Sequence, residues 1–340
     1  MATIDLSKLA AIPYFDLKNL AGRTISSLTF HDAGEWHMWV NAGDQLIKMQ
    51  GFPSEAAYFA KEAADPNDFC SHFLDFMAQQ ACFPEVTRAV FGIHDDIYNL
   101  SASLSKIEHI HATRAAIGRG CHRMVSAEIE YIFTVCRSIF DLLHEVARKL
   151  WDFVHLLDTT VTKKPLKKKF SEMFSYNGES ATLESFHVRF GMPVSLAQFY
   201  LTWKDFFFSL REFRDNITHN GSTIQTIFEG DTGFLIAKAL KPFHDLDIWW
   251  DDEREPNDIL PLMPALGVVI YRTLAACEEF SRIFSSIVKF PTPVAPGMHF
   301  FLRGYFNRQL NQALNDAVER LQALQAEKDA ASGADSLPNQ

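Results

Sequence analysis

The residues best suited to chemistry lie together at positions 211–221, which read Arg-Glu-Phe-Arg-Asp-Asn-Ile-Thr-His-Asn-Gly. Arg214 stays charged at any working pH and can hold a phosphate through its fork of N–H donors. His219 carries an imidazole, which can take a proton from a ribose 2′-hydroxyl or give one to a leaving oxygen. Asp215 or Asn216 can orient these groups. This set has the charge and the proton carrier that metal-free cleavage of RNA requires.

The spacing of Arg214 and His219 bears on how they would act together. The two residues are five positions apart, and on an ideal helix of roughly 3.6 residues per turn their side chains diverge by about 140°. One regular helix would therefore not aim both at a single phosphate. Either the helix end distorts, or a second copy of the chain apposes the same turn and brings two Arg and two His into one cleft.

The run Arg214-Asp215-Asn216-Ile217-Thr218-His219 resembles the Arg-polar-x3-His signature of the HEPN superfamily, in which Asn, Asp or His usually follows the Arg. The resemblance implies an all-α bundle that dimerises with the motif at its interface, and often a metal-independent endoribonuclease that leaves a 2′,3′-cyclic phosphate. It implies Arg214 on the scissile phosphate, His219 as proton carrier, and no metal or organic cofactor. Toxin, antiphage and RNA-processing roles, with a protein inhibitor or activator, are common in that family, and many members are inactive scaffolds.

The elements that must position these residues are predicted as long helices. Apolar residues at three-and-four spacing from Val125 to Leu157, with no Gly or Pro, predict the central helix of a bundle. The motif helix follows from about Pro193 and ends at Asn220-Gly221, a left-handed stop. Further helices are predicted over Met263–Phe290 and Phe300–Lys328.

Shorter elements complete the expected fold. Helices are predicted over 53–64, 67–80 and 84–117, a short irregular or strand-like piece over 186–190, and a small hairpin or irregular excursion over 223–238. The expected fold class is all-α, a HEPN-like helical bundle with additional N-terminal helices and a C-terminal helix. The expected domains are a mostly helical region at 1–98, the bundle at 99–291, the C-terminal helix at 292–329 and a disordered tail at 330–340.

Composition limits the classes of function. The chain has 340 residues, 47% of them hydrophobic, and 30 Phe, enough for a large core with wide helix contacts or an apolar dimer face. A net charge of −10 argues against a general nucleic-acid coat, because non-specific affinity comes from basic contacts to phosphate. RNA would therefore need a local basic surface. The strongest cluster of basic residues in the sequence is the lysine arm, which comprises Lys163, Lys164, Lys167, Lys168 and Lys169. This cluster predicts either a segment that contacts RNA or a solvated loop.

The cysteines and the hydropathy indicate the compartment. Five Cys without CxxC spacing argue against a disulfide framework or a zinc ribbon. The N-terminus lacks a signal peptide, and the most apolar run, 259–277, is interrupted by Pro261, Pro264 and Arg272. The expected protein is cytoplasmic, with no membrane partner.

Three alternatives stay open at this point. Glu108-x-x-His111 and Asp141-x-x-His144 have the spacing of metal ligands in carboxylate bundles, with Glu130 or Glu279 as further ligands. A catalytically silent helical dimer that binds a protein partner would fit the acidic charge and the Phe-rich faces. The acidic, Trp-containing segment 244–256 could compete with RNA for the lysine arm. A further polar group predicts a polar edge rather than a metal site: His31, Asp32, Glu35 and His37.

Overall fold

The structure, a computed structural model, describes residues 6–43, 45–176, 179–220, 226–238, 243–244 and 246–334, and at 6, 19, 176, 179, 214, 216–220 and 331–334 it describes the backbone alone. The chain divides into two compact units, each assembled from three stretches. The first unit comprises Met1–Tyr98, Ser138–Phe206 and Ala275–Asn307. The second comprises Asn99–Arg137, Phe207–Leu274 and Arg308–Gln340.

Runs of strands and runs of helices follow one another along the chain. The helices are α1 (Leu6–Leu9), α2 (His72–Gln79), α3 (Pro84–Ala112), α4 (Arg114–Ile117), α5 (Cys121–Phe153), α6 (Leu183–Phe190), α7 (Val194–Asn220), α8 (Leu262–Ile287) and α9 (Asn307–Ala334). The strands are β1 (Thr29–Asp32), β2 (Glu35–Ala42), β3 (Gln45–Met49), β4 (Ala56–Ala60), β5 (Phe69–Cys70), β6 (Ser175–Tyr176), β7 (Glu179–Ser180), β8 (Ile227–Glu229), β9 (Phe234–Ala237), β10 (Ile259–Pro261) and β11 (His299–Arg303). Within the described ranges, no helix has the length and apolar content of a membrane span.

A six-stranded mixed sheet organises the first unit. Its strand order is β3-β2-β1-β4-β11-β5, with β1 and β4 parallel and the other neighbours antiparallel. Phe30, Tyr58 and Phe59 on the central strands are fully buried. The last strand in the sequence, β11, enters the sheet between β4 and β5, where Phe300 pairs with Phe59. The sheet is therefore complete only when β11, which lies far from β4 and β5 in the sequence, has paired with both of them.

A single amide ties α2 to the turn before β11. The side chain of Gln79 donates hydrogen bonds to the carbonyl oxygens of Ala295 (3.1 Å) and Met298 (2.8 Å), and it accepts one from the Ala295 N–H (2.9 Å). Gln79 is almost completely buried, so these bonds replace water that burial has removed. They fix the approach of β11 to the sheet.

The aromatic residues of the first unit gather around Tyr200 on α7. The Tyr200 ring stacks on Phe186 of α6 at a centroid distance of 5.6 Å and lies 5.3 Å from Phe170. Its hydroxyl bonds His144 Nδ1 on α5 at 3.0 Å. All four rings are buried, so much of the unusual Phe content is core.

The second unit contains the other parts of α5 and α7. Phe133 of α5 contacts Phe213 of α7 at a centroid distance of 4.4 Å, and Phe243 at 5.9 Å. Strands β8, β9 and β10 form a separate antiparallel sheet with β9 in the centre. Helices α8 and α9 approach closely at Gly267, where an added Cβ would lie 2.8 Å from the Ala313 carbonyl oxygen.

The all-α prediction is wrong, because the described residues include the six-stranded sheet, the three-stranded sheet and the β6–β7 pair. The helix predicted at 53–64 is β4, and the one at 67–80 divides into β5 and α2. The start of the helix predicted at 300–328 is β11, and α9 begins only at Asn307. In each case backbone pairing with a distant strand outweighs local helix propensity.

The long helices are confirmed. Helix α5 matches the predicted central helix, α7 covers the predicted motif helix through Asn220, and α8 matches the helix predicted at 263–290. Gly221 of the predicted stop lies outside the described residues. The hairpin expected after the motif is β8–β9. The strand-like piece predicted at 186–190 is wrong, since it lies in α6, which Thr182 opens with a capping box. Of the tail predicted as disordered, residues up to Ala334 are helical and 335–340 lie outside the described residues.

Candidate functional site

The predicted catalytic residues all lie in the last two turns of α7. The backbone is α-helical through Asn220. A distorted helix end, one of the two arrangements that the spacing of Arg214 and His219 allowed, is therefore not present in α7. Asp215 accepts a hydrogen bond from Arg211 Nε at 3.2 Å, one turn earlier on the same helix. The side chains of Arg214, Asn216 and His219 lie outside the described residues.

Helix α5 supports this end of α7. The contact between Phe133 and Phe213 lies one residue before Arg214 in the chain. Glu130, three residues before Phe133, shares its face of α5 and has a buried Oε1 without a hydrogen-bond partner in the described part of the chain. Glu128 is bound to Lys106 at 2.5 Å. Both glutamates at the start of α5 keep one carboxylate oxygen without a partner in the described part of the chain, Oε2 in Glu128 and Oε1 in Glu130, and Glu130 lies on the face that meets α7.

The lysine arm divides into structural and exposed residues. The Lys163 ammonium donates to the carbonyl oxygens of Trp151 (2.5 Å) and Val154 at the end of α5, and burial lowers its pKa. Lys164 donates to the Val188 carbonyl at 3.0 Å. The arm lies in the first unit. Lys164 is exposed despite this bond, as are Lys167, Lys168 and Lys169.

The carboxylate–histidine pairs do not form the site that their spacing predicted. His144 uses both ring nitrogens, Nδ1 with the Tyr200 hydroxyl and Nε2 with the Lys167 carbonyl, each at 3.0 Å. His111 Nε2 bonds the Gly230 carbonyl at 2.9 Å, and Glu108 is exposed. A histidine with both nitrogens occupied has no lone pair for a metal.

The remaining candidate ligands also have protein partners. Glu279 accepts a hydrogen bond from Trp203 Nε1 at 2.9 Å. On the first hairpin, Asp32 pairs with Lys61 at 3.2 Å, and the His31 ring lies against Trp36 with centroids 4.8 Å apart.

A cluster that the sequence analysis missed lies where α5 begins. Glu229 Oε1, at the end of β8, is 3.3 Å from Cys121 Sγ and 3.3 Å from His122 Nε2. Arg114 Nε lies 3.9 Å from the other carboxylate oxygen, Oε2. Burial and the Glu229 carboxylate raise the pKa of the Cys121 thiol. The adjacent Cys-His pair was the only signal in the sequence, since Glu229 reaches it through the fold.

A second polar group lines a cavity of about 320 Å³ in the first unit. Burial, with the charges of Asp75 and Glu278, raises the pKa of Cys70 to about 11. Burial also raises the pKa of Asp75, which accepts a hydrogen bond from the Phe300 N–H at 2.9 Å. A thiol with this pKa is protonated at neutral pH, so Cys70 has the wrong charge state for a nucleophile.

Comparisons of this chain with protein-family models, curated proteins and solved structures give no match.

Proposed function

We propose that the chain is a metal-independent endoribonuclease of the HEPN type, acting through Arg214 and His219. The observation that carries the proposal is the continuous helix α7, which holds both residues in its last two turns. A helix of this kind offers an obligate cation and a titratable group on backbone that the contact between Phe133 and Phe213 holds in place. The resemblance to the HEPN signature supports the same assignment.

The site is completed by a second copy of the chain. A regular helix turns Arg214 and His219 about 140° apart at roughly 3.6 residues per turn, so one chain directs only one of them at a given phosphate. Two copies related by a two-fold axis bring two Arg and two His to one cleft. The half-exposed Asp215, held by Arg211, positions the nearby groups.

The reaction needs only protein groups and the RNA. One His219 takes the proton of the ribose 2′-hydroxyl, and the 2′ oxygen attacks phosphorus. Arg214 stabilises the charge that builds on the phosphorane oxygens. The bond to the 5′ oxygen breaks, the same His219 gives that oxygen the proton it has taken, and the products are a 2′,3′-cyclic phosphate and a 5′-hydroxyl.

The test is RNA cleavage by the purified protein in EDTA. Total RNA and tRNA are incubated with wild type, Arg214→Ala and His219→Ala, and the fragment ends are identified. Arg88→Ala and His109→Ala, at exposed positions on α3, are the matched controls. We expect cyclic phosphate ends from wild type and controls, and at least about a hundredfold loss in each motif variant. Cleavage that survives both motif changes would refute the proposal.

Mixing the two inactive variants tests the shared site. If Arg214 of one copy works with His219 of the other, an equal mixture recovers about a quarter of the wild-type activity, since half of the dimers are mixed and each has one intact site. If both residues act within one chain, mixing recovers nothing. The size of the recovered activity therefore separates the two arrangements.

A protein-binding scaffold is the second candidate function, and an apolar sheet edge favours it. Val40 of β2 pairs with Ile47 of the edge strand β3, and these side chains are 46% and 48% exposed. Met49, on the same face of β3, is 46% exposed. Wild-type protein that leaves RNA intact in the EDTA assay, with self-association or partner binding lost in Ile47→Lys, would favour this function over the nuclease.

A further inference from the structure

We propose that Cys121, His122 and Glu229 form a zinc site that joins the start of α5 to the end of β8. Their ligand atoms all lie within 4.8 Å of one another. In tetrahedral zinc sites, bonds of about 2.0–2.3 Å place neighbouring ligand atoms about 3.4–3.6 Å apart. Glu229 Oε1 lies 3.3 Å from both the sulfur and the imidazole nitrogen, so two of the three ligand pairs already have nearly the spacing of a zinc coordination shell, and the sulfur and the imidazole nitrogen lie within 4.8 Å of each other.

The types of ligand favour zinc over other metals. A thiolate, an imidazole and a single carboxylate oxygen are a common zinc set, whereas calcium and magnesium prefer oxygen alone. The sulfur is buried, and the side chains of His122 and Glu229 are 39% and 43% exposed. Solvent therefore reaches the side of the cluster opposite the sulfur, where a water molecule can serve as the fourth ligand.

Neighbouring groups hold the carboxylate in the orientation that the site needs. Arg114 lies beside Glu229 Oε2 and leaves Oε1 directed at the cysteine and the histidine. His111 donates to the carbonyl of Gly230, the next residue, at 2.9 Å, and its ring packs edge-on against Phe234 at 5.2 Å. Such supporting contacts orient ligands and strengthen metal binding. His111 of α3 and Arg114 of α4 thus hold the end of β8 in place independently of any metal.

Zinc binding replaces one proton. The metal takes the place of the Cys121 S–H hydrogen between sulfur and Glu229, the thiol proton goes to solvent, and neutral His122 coordinates through Nε2. The bound ion then links α5 to β8, the strand that follows the motif helix α7 in the chain. The site is separate from the metal-independent cleavage proposed above.

Cobalt and zinc binding to the full chain tests the site directly. Protein stripped with a chelator and kept reduced is titrated with Co²⁺ alone, and the thiolate-to-cobalt absorption is followed before zinc is added. We expect one cobalt per chain, displaced by zinc, with affinity at least about tenfold weaker in Glu229→Gln and Cys121→Ser. Zinc should raise the Tm of wild type more than that of Glu229→Gln, because stabilisation of the native state grows with its affinity for the metal.

Two controls separate this site from other ligands and from misfolding. Asp231→Asn removes a carboxylate from the exposed turn after β8, and Cys70→Ser removes the thiol of the first-unit cavity. Both should bind like wild type. Glu229→Gln keeps the size of the side chain, and its circular dichroism should match that of the wild type. Absence of stoichiometric metal, or cobalt binding that survives both Cys121→Ser and Glu229→Gln, overturns the proposal, whatever the result for RNA.

Discussion

Arg320 of α9 donates two hydrogen bonds to the carboxylate of Glu253, Nη1 to Oε2 and Nη2 to Oε1, each 2.6 Å long. It also donates to Asp316 (2.8 Å) and to the Ile248 carbonyl (3.0 Å), and its guanidinium lies 5.3 Å from the Trp250 ring centroid. Although burial alone would raise it, hydrogen bonds from Arg320 and Trp250 lower the pKa of Glu253. The acidic segment is therefore attached to α9, and Glu253 is engaged in structure.

Removing this guanidinium should destabilise the protein. Arg320 is only 5% exposed, so Arg320→Met leaves a half-buried carboxylate without its partner and should cost about 3 kcal/mol in the free energy of unfolding. Urea unfolding measures the loss, with Arg308→Met on the exposed surface of α9 as the control. In the double variant with Glu253→Gln, the loss should be smaller than the sum of the single losses. Additive losses would contradict the pairing.

The buried His144 should make stability depend on pH. Its Nε2–H donates to the Lys167 carbonyl, because a carbonyl can only accept, so Nδ1 accepts from the Tyr200 hydroxyl. Burial lowers the pKa of His144 to about 4, below the value of about 6.5 in an unfolded chain. As pH falls through this window, the unfolded state gains a proton that the folded state does not. The free energy of unfolding should therefore fall, by an amount on the order of 3 kcal/mol.

The measurement is urea unfolding at several pH values between 4 and 7. His144→Gln should reduce the slope of stability against pH by about one proton. His109→Gln, at an exposed position on α3, should keep the wild-type slope. His94, whose pKa burial lowers to about 4, contributes a second proton that remains in both variants. An unchanged slope in His144→Gln would show that the imidazole binds its proton over the same pH range in the folded and the unfolded protein.

Lys163 should matter for stability. Its ammonium donates to the Trp151 and Val154 carbonyl oxygens and lies 5.6 Å from the Trp151 ring centroid. Lys163→Met keeps the apolar stem but removes the donors at the end of α5, and should cost about 1–2 kcal/mol. Lys168→Met, in the exposed part of the arm, should be neutral. Equal thermal unfolding of the two variants would contradict a structural role for Lys163.

The exposed part of the arm should act on RNA. Replacing Lys167, Lys168 and Lys169 by Gln should leave thermal unfolding unchanged and weaken RNA binding. The slope of log affinity against log salt should become shallower by about 2, since each contact to single-stranded RNA contributes about 0.7. A filter-binding titration at several salt concentrations measures it in the uncleaving His219→Ala background. An unchanged slope would identify the arm as a solvated loop.

Gly267 should tolerate no side chain. The Cβ of Gly267→Ala would lie 2.8 Å from the Ala313 carbonyl oxygen on α9, closer than contact distance. We expect a loss of about 1–3 kcal/mol from the forced helix separation, even though alanine favours a helix interior by about 1 kcal/mol over glycine. At Gly120 the nearest atom to an added Cβ is 3.8 Å away, so Gly120→Ala should not share the loss. Thermal unfolding of both variants decides the matter.

The sequence alone determined the long helices and the residues at the end of one of them. Helices α5, α7 and α8 have enough turns for the apolar periodicity to be read locally, and Asn220-Gly221 provided a local stop. The candidate catalytic residues were found for the same reason, since Arg214 and His219 lie within one short run of sequence.

Tertiary structure alone decided the sheet and the cluster around Glu229. Strand β4, Ala-Ala-Tyr-Phe-Ala, is five residues long, too short to show alternation and rich in a helix-favouring residue. It becomes a strand because β1 and β11 pair with its two edges. In the same way, β8 carries Glu229 to Cys121 and His122. Both outcomes depend on contacts between segments far apart in the chain, and such contacts leave no periodic signal in any one of them.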